Sequence, residues 1–466
     1  MFIGRARELE ELEKRWNSGR FEFGVVYGSR RIGKSVLLNE FISQRNGFRF
    51  QARKGTEEEN LRAFSREFNR FRGIDENLRF DNFEHALEAV VAYAKKERFV
   101  FVIDEIAYFC VRSKSFLSTL QYFVDGEFQE ANMMFILSGS NISFMKELLN
   151  NRNDPLYKRA TFEMNVLKLP FSEALQFVRE CTTEDKVAYL SLFGTYPYYL
   201  AMIDLSQGFE TNVKNLLFSA YGSLVDAPDK VLPEGTSDQN TYSTILRAIS
   251  LGKRSSKEIS DYVGQSSGYL AAYLSAMVDM QILDHREAFT RNKKLNYYEI
   301  SDNLLRFWYR FTYEGEDQIT LGLGEILYQA QQKAIRTFLD HGFESLIIDY
   351  MTEQNVLGKL PHYYDAIRNY RVENSQLGRS IELDGLAESI DDGRKSLLII
   401  EDKYRNRTFQ DRDFTHLEES VSVFPGYRRI DYYLFSRGGY SPEMIALAAQ
   451  RDNVHMLMLQ DVMGEA

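Results

Sequence analysis

The sequence predicts a multidomain α/β protein: a parallel sheet wrapped by helices, then a small helical segment, a winged helix, and a second α/β domain at the end. Three observations predict it. Residues 21–42, FEFGVVYGSRRIGKSVLLNEFI, read as apolar strand, glycine-bearing loop and helix. Strand and helix patterns then alternate, as in a parallel sheet covered on both faces. Late in the chain two strand patterns, SIELDGLA and LLIIEDKY, flank the turn residues Asp391, Asp392 and Gly393. At 466 residues the chain exceeds one ordinary core, so about two to four domains are expected.

The opening residues Phe2, Ile3, Gly4 and Arg5 lead into an amphipathic helix with Leu9, Leu12 and Trp16 on it. Next comes the strand ending at Tyr27. Gly28, Ser29, Arg30, Arg31, Ile32, Gly33, Lys34 and Ser35 then spell G-x-x-x-x-G-K-S, with Val36 opening the helix. The chemistry of phosphate binding needs this order. The strand aims the loop, glycines let backbone N–H groups close around phosphates, and the helix N-terminus adds its positive dipole end. Lys34 reaches the β and γ phosphates of ATP, and Ser35 offers its hydroxyl to Mg2+.

Phe48 to Ala52 alternates enough for a second strand, and Glu57 to Phe71 and Phe83 to Lys96 carry helical spacing. Phe99 to Ile103 is an apolar run that suits a strand buried on both faces, and it stops at Asp104 and Glu105. Acids at the carboxyl end of a central strand lie where open α/β sheets bind ligands. With the loop upstream this is a Walker B element, in which Asp104 holds Mg2+ through water and Glu105 polarises the attacking water. A third run, Met133 to Leu137, ends in Ser138, Gly139, Ser140 and Asn141. Two roles are open there: a polar side chain that senses the γ phosphate (Ser138, Ser140 or Asn141), and an N-cap for the helix starting near Ile142.

Phe171 to about Tyr221 is helical in pattern, with Phe171, Ala174, Leu175 and Val178 on one face, and reads as a lid. Its Gly194-Thr-Tyr-Pro197 turn has a simpler reading, in which Pro197 merely starts a helix. The Pro-, Gly- and Asp-rich run from Gly222 to Asn240 is a boundary. Tyr242 to Phe311 reads as a winged helix. Helices cover Tyr242 to Ser250, Ser256 to Val263 and Gly268 to Met280, and two strands flank the turn TRNKK. The third helix holds no Lys or Arg, so it lacks the usual groups for guanine and phosphate contacts; only the wing supplies Arg291, Lys293 and Lys294. A structural or protein-contacting role is favoured over sequence readout. Gly264-Gln-Ser266-Ser-Gly268 matches G-x-S-x-G, but a helix precedes it where a nucleophile elbow needs a strand.

Beyond the aromatic run Leu305 to Tyr313, Gly342-Phe343-Glu344 is expected to open an apolar helix. In the late strand pair, Asp384 stands on one strand and Glu401 and Lys403 share a face of the next. Asp384 and Glu401 suit Mg2+, with Lys403 beside them to orient water or stabilise phosphate charge. A solvated Glu401–Lys403 pair is the plain alternative.

Composition excludes several classes. The 57 basic and 67 acidic side chains leave a formal charge of -10, which argues against a basic nucleic-acid-coating surface but not against a local basic groove. Cys110 and Cys181 are far apart, which excludes a disulfide framework and a Cys zinc site. The six histidines show no ligand spacing. There is no apolar leader and no membrane-length run, so a soluble cytoplasmic protein without membrane partners is expected.

The series FIGRARELEEL, YGSRRIGKS, FVIDEIAYF, FILSGSNISFM, DPLYKRAT and GTYPYYL resembles the archaeal-type ATPases of the AAA/STAND group. The resemblance implies a P-loop NTPase core over 1–165, a lid and linker over 166–235, a winged helix over 236–315 and a nuclease-like domain over 316–466. It places Arg159 where an arginine finger can act, although Lys158 and Ala160 replace the usual Gly and second Arg; a plain surface arginine is the alternative. Ile106 and Ala107 replace the usual Phe-Pro after the two acids, a packing change.

Asp384, then Glu401-x-Lys403 after an apolar strand, resembles the PD-(D/E)xK nuclease superfamily, a restriction-endonuclease-like fold, with Glu344 as the additional helix acid. Leu383 stands where many members have Pro. YYLFSRGGYSPEM is similar to the last strand and turn of the domain of unknown function that such ATPases carry. The implied activity is an ATP-hydrolysing switch that controls a Mg2+-dependent site acting on nucleic acid. A signalling ATPase with an inactive nuclease fold and a protein-remodelling ATPase remain alternatives, and a protein partner and self-association are open.

Overall fold

Apolar runs buried on both faces build the first sheet. The computed structural model describes residues 2–110, 114–228, 232, 239–287, 289, 296–374, 379–403, 407–422, 424 and 426–464. Its chain divides into one unit centred on Met1–Leu169 and another centred on Pro170–Val278 with Ile282–Ala466.

In the first unit, helix α1 (Ala6–Asn17) precedes β1 (Glu22–Tyr27), and helix α2 (Lys34–Ser43) follows it. Strands β2 (Gly47–Gln51), β3 (Phe99–Asp104), β4 (Met133–Gly139) and β5 (Phe162–Asn165) complete a parallel sheet in the order β2-β3-β4-β1-β5. Every residue of β1, β3 and β4 is buried, which explains their unbroken apolar runs. β5 is four residues long and half exposed, too short a pattern to stand out in the sequence.

One phenylalanine from each of four strands fixes the register. Phe48, Phe101, Phe135 and Phe23 are partners in the ladder, and their rings follow one another at 6.3, 5.4 and 5.3 Å. A slip of one residue would send this row to the other face, so the aromatic row specifies the alignment. Gly24 is required beside it, because a Cβ there would lie 2.1 Å from the Phe162 ring. With β4 between β1 and β3, the strand ends that carry the glycine loop, Asp104 and Ser140 are neighbours.

The second unit opens with helices Phe171–Leu175, Thr183–Phe193, Pro197–Leu200 and Phe209–Leu217; Pro197 sits in the first turn of its helix. Helices Gln239–Ser250, Ser256–Val263 and Ser267–Asp279 follow, then an antiparallel pair, β6 (Leu283–Arg286) and β7 (Tyr297–Ile300). Arg291, Lys293 and Lys294 of the expected turn lie outside the described residues. Gly264, at φ 74°, ends helix Ser256–Val263, so the G-x-S-x-G run is a helix stop.

The expected helix start at Gly342 is corrected. A single 33-residue helix runs Gly324–Val356 straight through it. Gly342 is there for close packing, since a Cβ would lie 2.5 Å from the Ser191 Cβ.

The second sheet has five strands among the described residues. β8 (Arg368–Asn374), β9 (Arg379–Glu388) and β10 (Ser396–Lys403) form an antiparallel meander. Helix Asp411–Val421 then returns the chain, so that β11 (Arg429–Ser436) lies parallel to β10, and β12 (Val454–Met458) parallel to β11. β12 therefore follows the strand that the sequence comparison treats as last. Tyr404, expected at the end of β10, lies outside the described residues. Among the described residues no helix is long and apolar enough to cross a membrane.

Candidate functional site

The glycine loop is shaped by left-handed backbone at Arg31 (φ 68°) and Gly33 (φ 92°). Gly28 is pinned by space: a Cβ there would lie 2.2 Å from the Val166 carbonyl oxygen. The sequence reading missed how the loop is tied to the start of the chain. Arg5, almost fully buried, donates to Ile32 O and to Glu8 Oε1, each at 2.6 Å. Arg30 reaches the Tyr108 hydroxyl at 3.1 Å, and Val36 stands exposed on α2.

Lys34 folds onto its own loop. Its Nζ donates to Gly28 O at 2.9 Å, Ser29 O at 3.0 Å and Ser140 Oγ at 2.9 Å. Burial pushes its pKa down to about 8, against the pull of Glu105 and Asp104. The ammonium is therefore already placed at the mouth of the loop, held by carbonyl oxygens.

Asp104 is fully buried and fully engaged. Its Oδ2 accepts from Ser35 Oγ at 2.7 Å and from Arg49 Nη1 at 2.6 Å, and its Oδ1 accepts from Glu105 N at 3.0 Å. Arg49 was missed in the sequence. Its signal is a lone arginine between Phe48 and Phe50 on β2, because a cation in a largely buried strand needs an acid. Glu105 holds left-handed backbone (φ 55°), and its carboxylate accepts from both the hydroxyl and the N–H of Ser140. Strain of this kind is a feature of functional sites.

The four residues 138–141, at and just beyond the end of β4, divide the two open roles. Ser140 faces Lys34 and Glu105, whereas Asn141 caps helix Ile142–Asn150 by accepting from Phe144 N. Ser138 is buried, and its hydroxyl has no hydrogen-bond partner among the described residues. Ser35 and Asp104 present hard oxygen donors side by side, which fits Mg2+. Arg159 makes a two-pronged pair with Asp125, at 2.6 and 2.8 Å, on the surface of the same unit.

A second constellation lies in the other unit. Asp384 on β9 accepts from Asp402 N at 2.8 Å, and Lys403 donates to Glu401 on β10. Burial raises the Asp384 pKa well above the usual carboxylate value, and the charges of Glu401, Asp402 and Glu344 raise it further. Burial also raises Glu401, opposed by Lys403. Glu344 is carried by helix Gly324–Val356, its charge acts on Asp384 and Glu401, and its carboxylate meets His341 Nδ1 at 3.1 Å. His341 and the Asp402 N–H were not foreseen; the first is a local contact one turn along the helix, and the second forms only across the β9–β10 pair. Among the described residues no three His, Cys, Asp or Glu side chains form a metal cage. Two carboxylates with water and phosphate oxygens complete an ordinary Mg2+ shell, so Asp384 and Glu401 fit that ion as a pair.

The first unit is thus a P-loop ATPase-like α/β domain. More particularly, residues 2–203 match an ATPase domain predominantly from Archaea, and residues 308–415 match a family of archaeal and bacterial proteins of unknown function. The chain is 27% identical over 416 residues to an uncharacterized protein of Methanocaldococcus jannaschii, MJECL04, covering 89% of each. An uncharacterized ATP-binding protein of the same organism, MJ0423, is 40% identical over 45 residues, which are 10% of this chain and 76% of the relative. Among solved structures, the Walker-type ATPase PABY2304 of Pyrococcus abyssi aligns with a TM-score of 0.52 at 20% identity, over 66% of this chain and 96% of its own. That likeness is one of fold.

Proposed function

We propose that this chain is an ATP-driven switch of the STAND type. Its nucleotide cycle controls a Mg2+-dependent, PD-(D/E)xK-like site that cuts nucleic acid. In the first unit Lys34 leaves the Gly28 and Ser29 carbonyls for the β and γ phosphates, and Ser35 and Asp104 hold the ion. Glu105 takes a hydrogen bond from the water that attacks the γ phosphorus, so the bond to the ADP oxygen breaks as the new P–O bond forms. Mg2+ would supply charge neutralisation on the phosphates. Ser140 acts as the sensor, and Arg159 serves as an arginine finger toward a second copy.

The single observation that carries the nuclease half is the gathering of Asp384, Glu401, Lys403 and Glu344 from two strands and a helix. Asp384 and Glu401 are buried side by side with their pKa values raised by that burial, a costly arrangement that a cation relieves. The three helices with β6 and β7 are read as a winged helix. Its third helix exposes Tyr269 and carries no basic residue, which favours a protein contact.

The test is Mg2+- or Mn2+-dependent cleavage of single- and double-stranded DNA and RNA, with and without ATP, comparing wild type with Lys403→Ala. Cleavage lost in the variant supports the reading. If no substrate is cut while ATP is hydrolysed, the second sheet is a binding or signalling domain.

A further inference from the structure

A circuit of hydrogen bonds rings the mouth of the glycine loop and passes through Arg30 and Tyr108. Lys34 Nζ donates to Ser29 O at 3.0 Å, and Arg30 is the next residue in the chain. Arg30 Nη2 donates to the Tyr108 hydroxyl at 3.1 Å. Tyr108 N in turn donates to Glu105 O at 3.0 Å, so the phenol stands one turn beyond the acid, on the short helix Ile106–Cys110. Ser140 donates to the Glu105 carboxylate, and its hydroxyl accepts from Lys34 Nζ at 2.9 Å, which closes the circuit. Hydrogen bonds and adjacent residues make every step, so Arg30, Lys34 and Glu105 border one space.

Lys34 and Glu105 mark the γ-phosphate end of that space, the lysine by its reach to the β and γ phosphates and the acid by its water. Arg30 is held on the acid's side. The tether is a neutral oxygen: a phenol hydroxyl aims a guanidinium without cancelling its charge. Arg49 and Arg159 are committed to the carboxylates of Asp104 and Asp125. Lys54 Nζ lies 5.1 Å over the Tyr108 ring, so the same side chain gathers a second cation. Strained backbone brackets the contact, with left-handed residues at Arg31 (φ 68°) and Glu105 (φ 55°). A guanidinium in this position meets the charge that develops on the equatorial oxygens of a transferring phosphoryl group.

We propose that Arg30 is an arginine finger supplied by the chain's own glycine loop, and that Tyr108 is the positioning residue that aims it. As the water oxygen bonds to the γ phosphorus, the bond to the bridging oxygen breaks, its electron pair stays on ADP, and the water's two protons stay on the released phosphate. Arg30 keeps its own proton throughout and stabilises the phosphoryl oxygens by hydrogen bonds. This rests on the ATPase reading and deepens it: one copy carries its own finger, and Arg159 is left for a contact between copies.

The experiment compares the full wild-type chain with Arg30→Gln, Arg30→Lys, Tyr108→Phe and the Arg30→Gln/Tyr108→Phe pair. Three quantities are read: ATP turnover over a range of protein concentrations, anisotropy of a fluorescent ATP analogue, and trapping of fluorescent ADP by aluminium fluoride, a mimic of the transferring phosphoryl group. Arg30→Gln should lower kcat about 1,000-fold and abolish trapping, with analogue affinity within about threefold of wild type. Arg30→Lys should recover part of the trapping, because it restores the charge without the fork. Tyr108→Phe should lower kcat about tenfold, and the double variant should be no slower than Arg30→Gln alone, since the two act as a unit. Normal turnover and trapping in Arg30→Gln overturn the finger and leave the ATPase reading standing. Loss of analogue binding in both Arg30 variants overturns it as well, because the arginine then serves binding or folding. Turnover that appears only as protein concentration rises overturns the single-copy finger. A wild type that neither binds nor hydrolyses ATP overturns both readings.

Discussion

Ser140 Oγ accepts a hydrogen bond from Lys34 Nζ at 2.9 Å. The same hydroxyl donates to Glu105, so one oxygen joins the lysine of the glycine loop to the acid proposed to polarise water. Ser140→Ala should lower ATP turnover about 100-fold, the scale of one lost transition-state hydrogen bond, with a small effect on ATP affinity. Glu105→Gln should bind ATP and hydrolyse it poorly. Asn141→Ala should cost about 1 kcal/mol as a lost cap and leave turnover unchanged. Steady-state kinetics and urea melts on the three variants separate these outcomes.

Lys34 titrates where it matters. Its folded pKa of about 8 lies below the ordinary 10.5, so between those values the folded chain holds fewer protons than the unfolded one. Stability at this position therefore rises with pH across the window. Phosphate affinity falls across it, because the cation is lost. Binding of a fluorescent ATP analogue should weaken from about pH 8 upward, and Lys34→Ala should remove both turnover and this dependence.

Asp384 has the opposite sign. Its folded pKa is raised by burial and then by Glu401, Asp402 and Glu344, so the folded chain holds an extra proton above the ordinary carboxylate value. That stabilisation is present at low pH and is lost as pH climbs through the raised value. Asp384→Asn should melt higher than wild type near pH 8, lose the advantage toward pH 4, and cut no substrate. Melting curves at several pH values check it.

Gly342→Ala should destabilise the second unit by about 1–3 kcal/mol. The new methyl must push Ser191 aside, and overpacking outweighs the helix preference of alanine. Urea unfolding followed by circular dichroism measures it.

The first unit was legible because β1, β3 and β4 are buried on both faces and its ligand loop is a fixed string of residue types. Asp384, Glu401 and Lys403 were legible for a related reason: two adjacent strands fix their spacing locally. What escaped depends on distant packing. Arg49 meets Asp104 only once β2 lies against β3, and Arg5 meets Ile32 only once α1 has docked. The false helix start at Gly342 came from treating a glycine as punctuation, when close approach to Ser191 is what demands it. β5 and β12 were missed as short, partly exposed strands, and the longer β8 because RNYRVEN is mostly polar and offers no apolar run.

Helix Gly324–Val356 is about 50 Å long by its rise per residue and holds no proline. Segment 171–193 clasps it twice, at Gly342 through Ser191 and at Glu353 through the N–H and hydroxyl of Ser172. Glu344 sits between the two clasps. Other contacts along the helix, from Phe307 and Phe311 on Phe338 to Tyr364 on Asn355, make it a shared beam: Glu344 takes its position from the same helix that segment 171–193 grips.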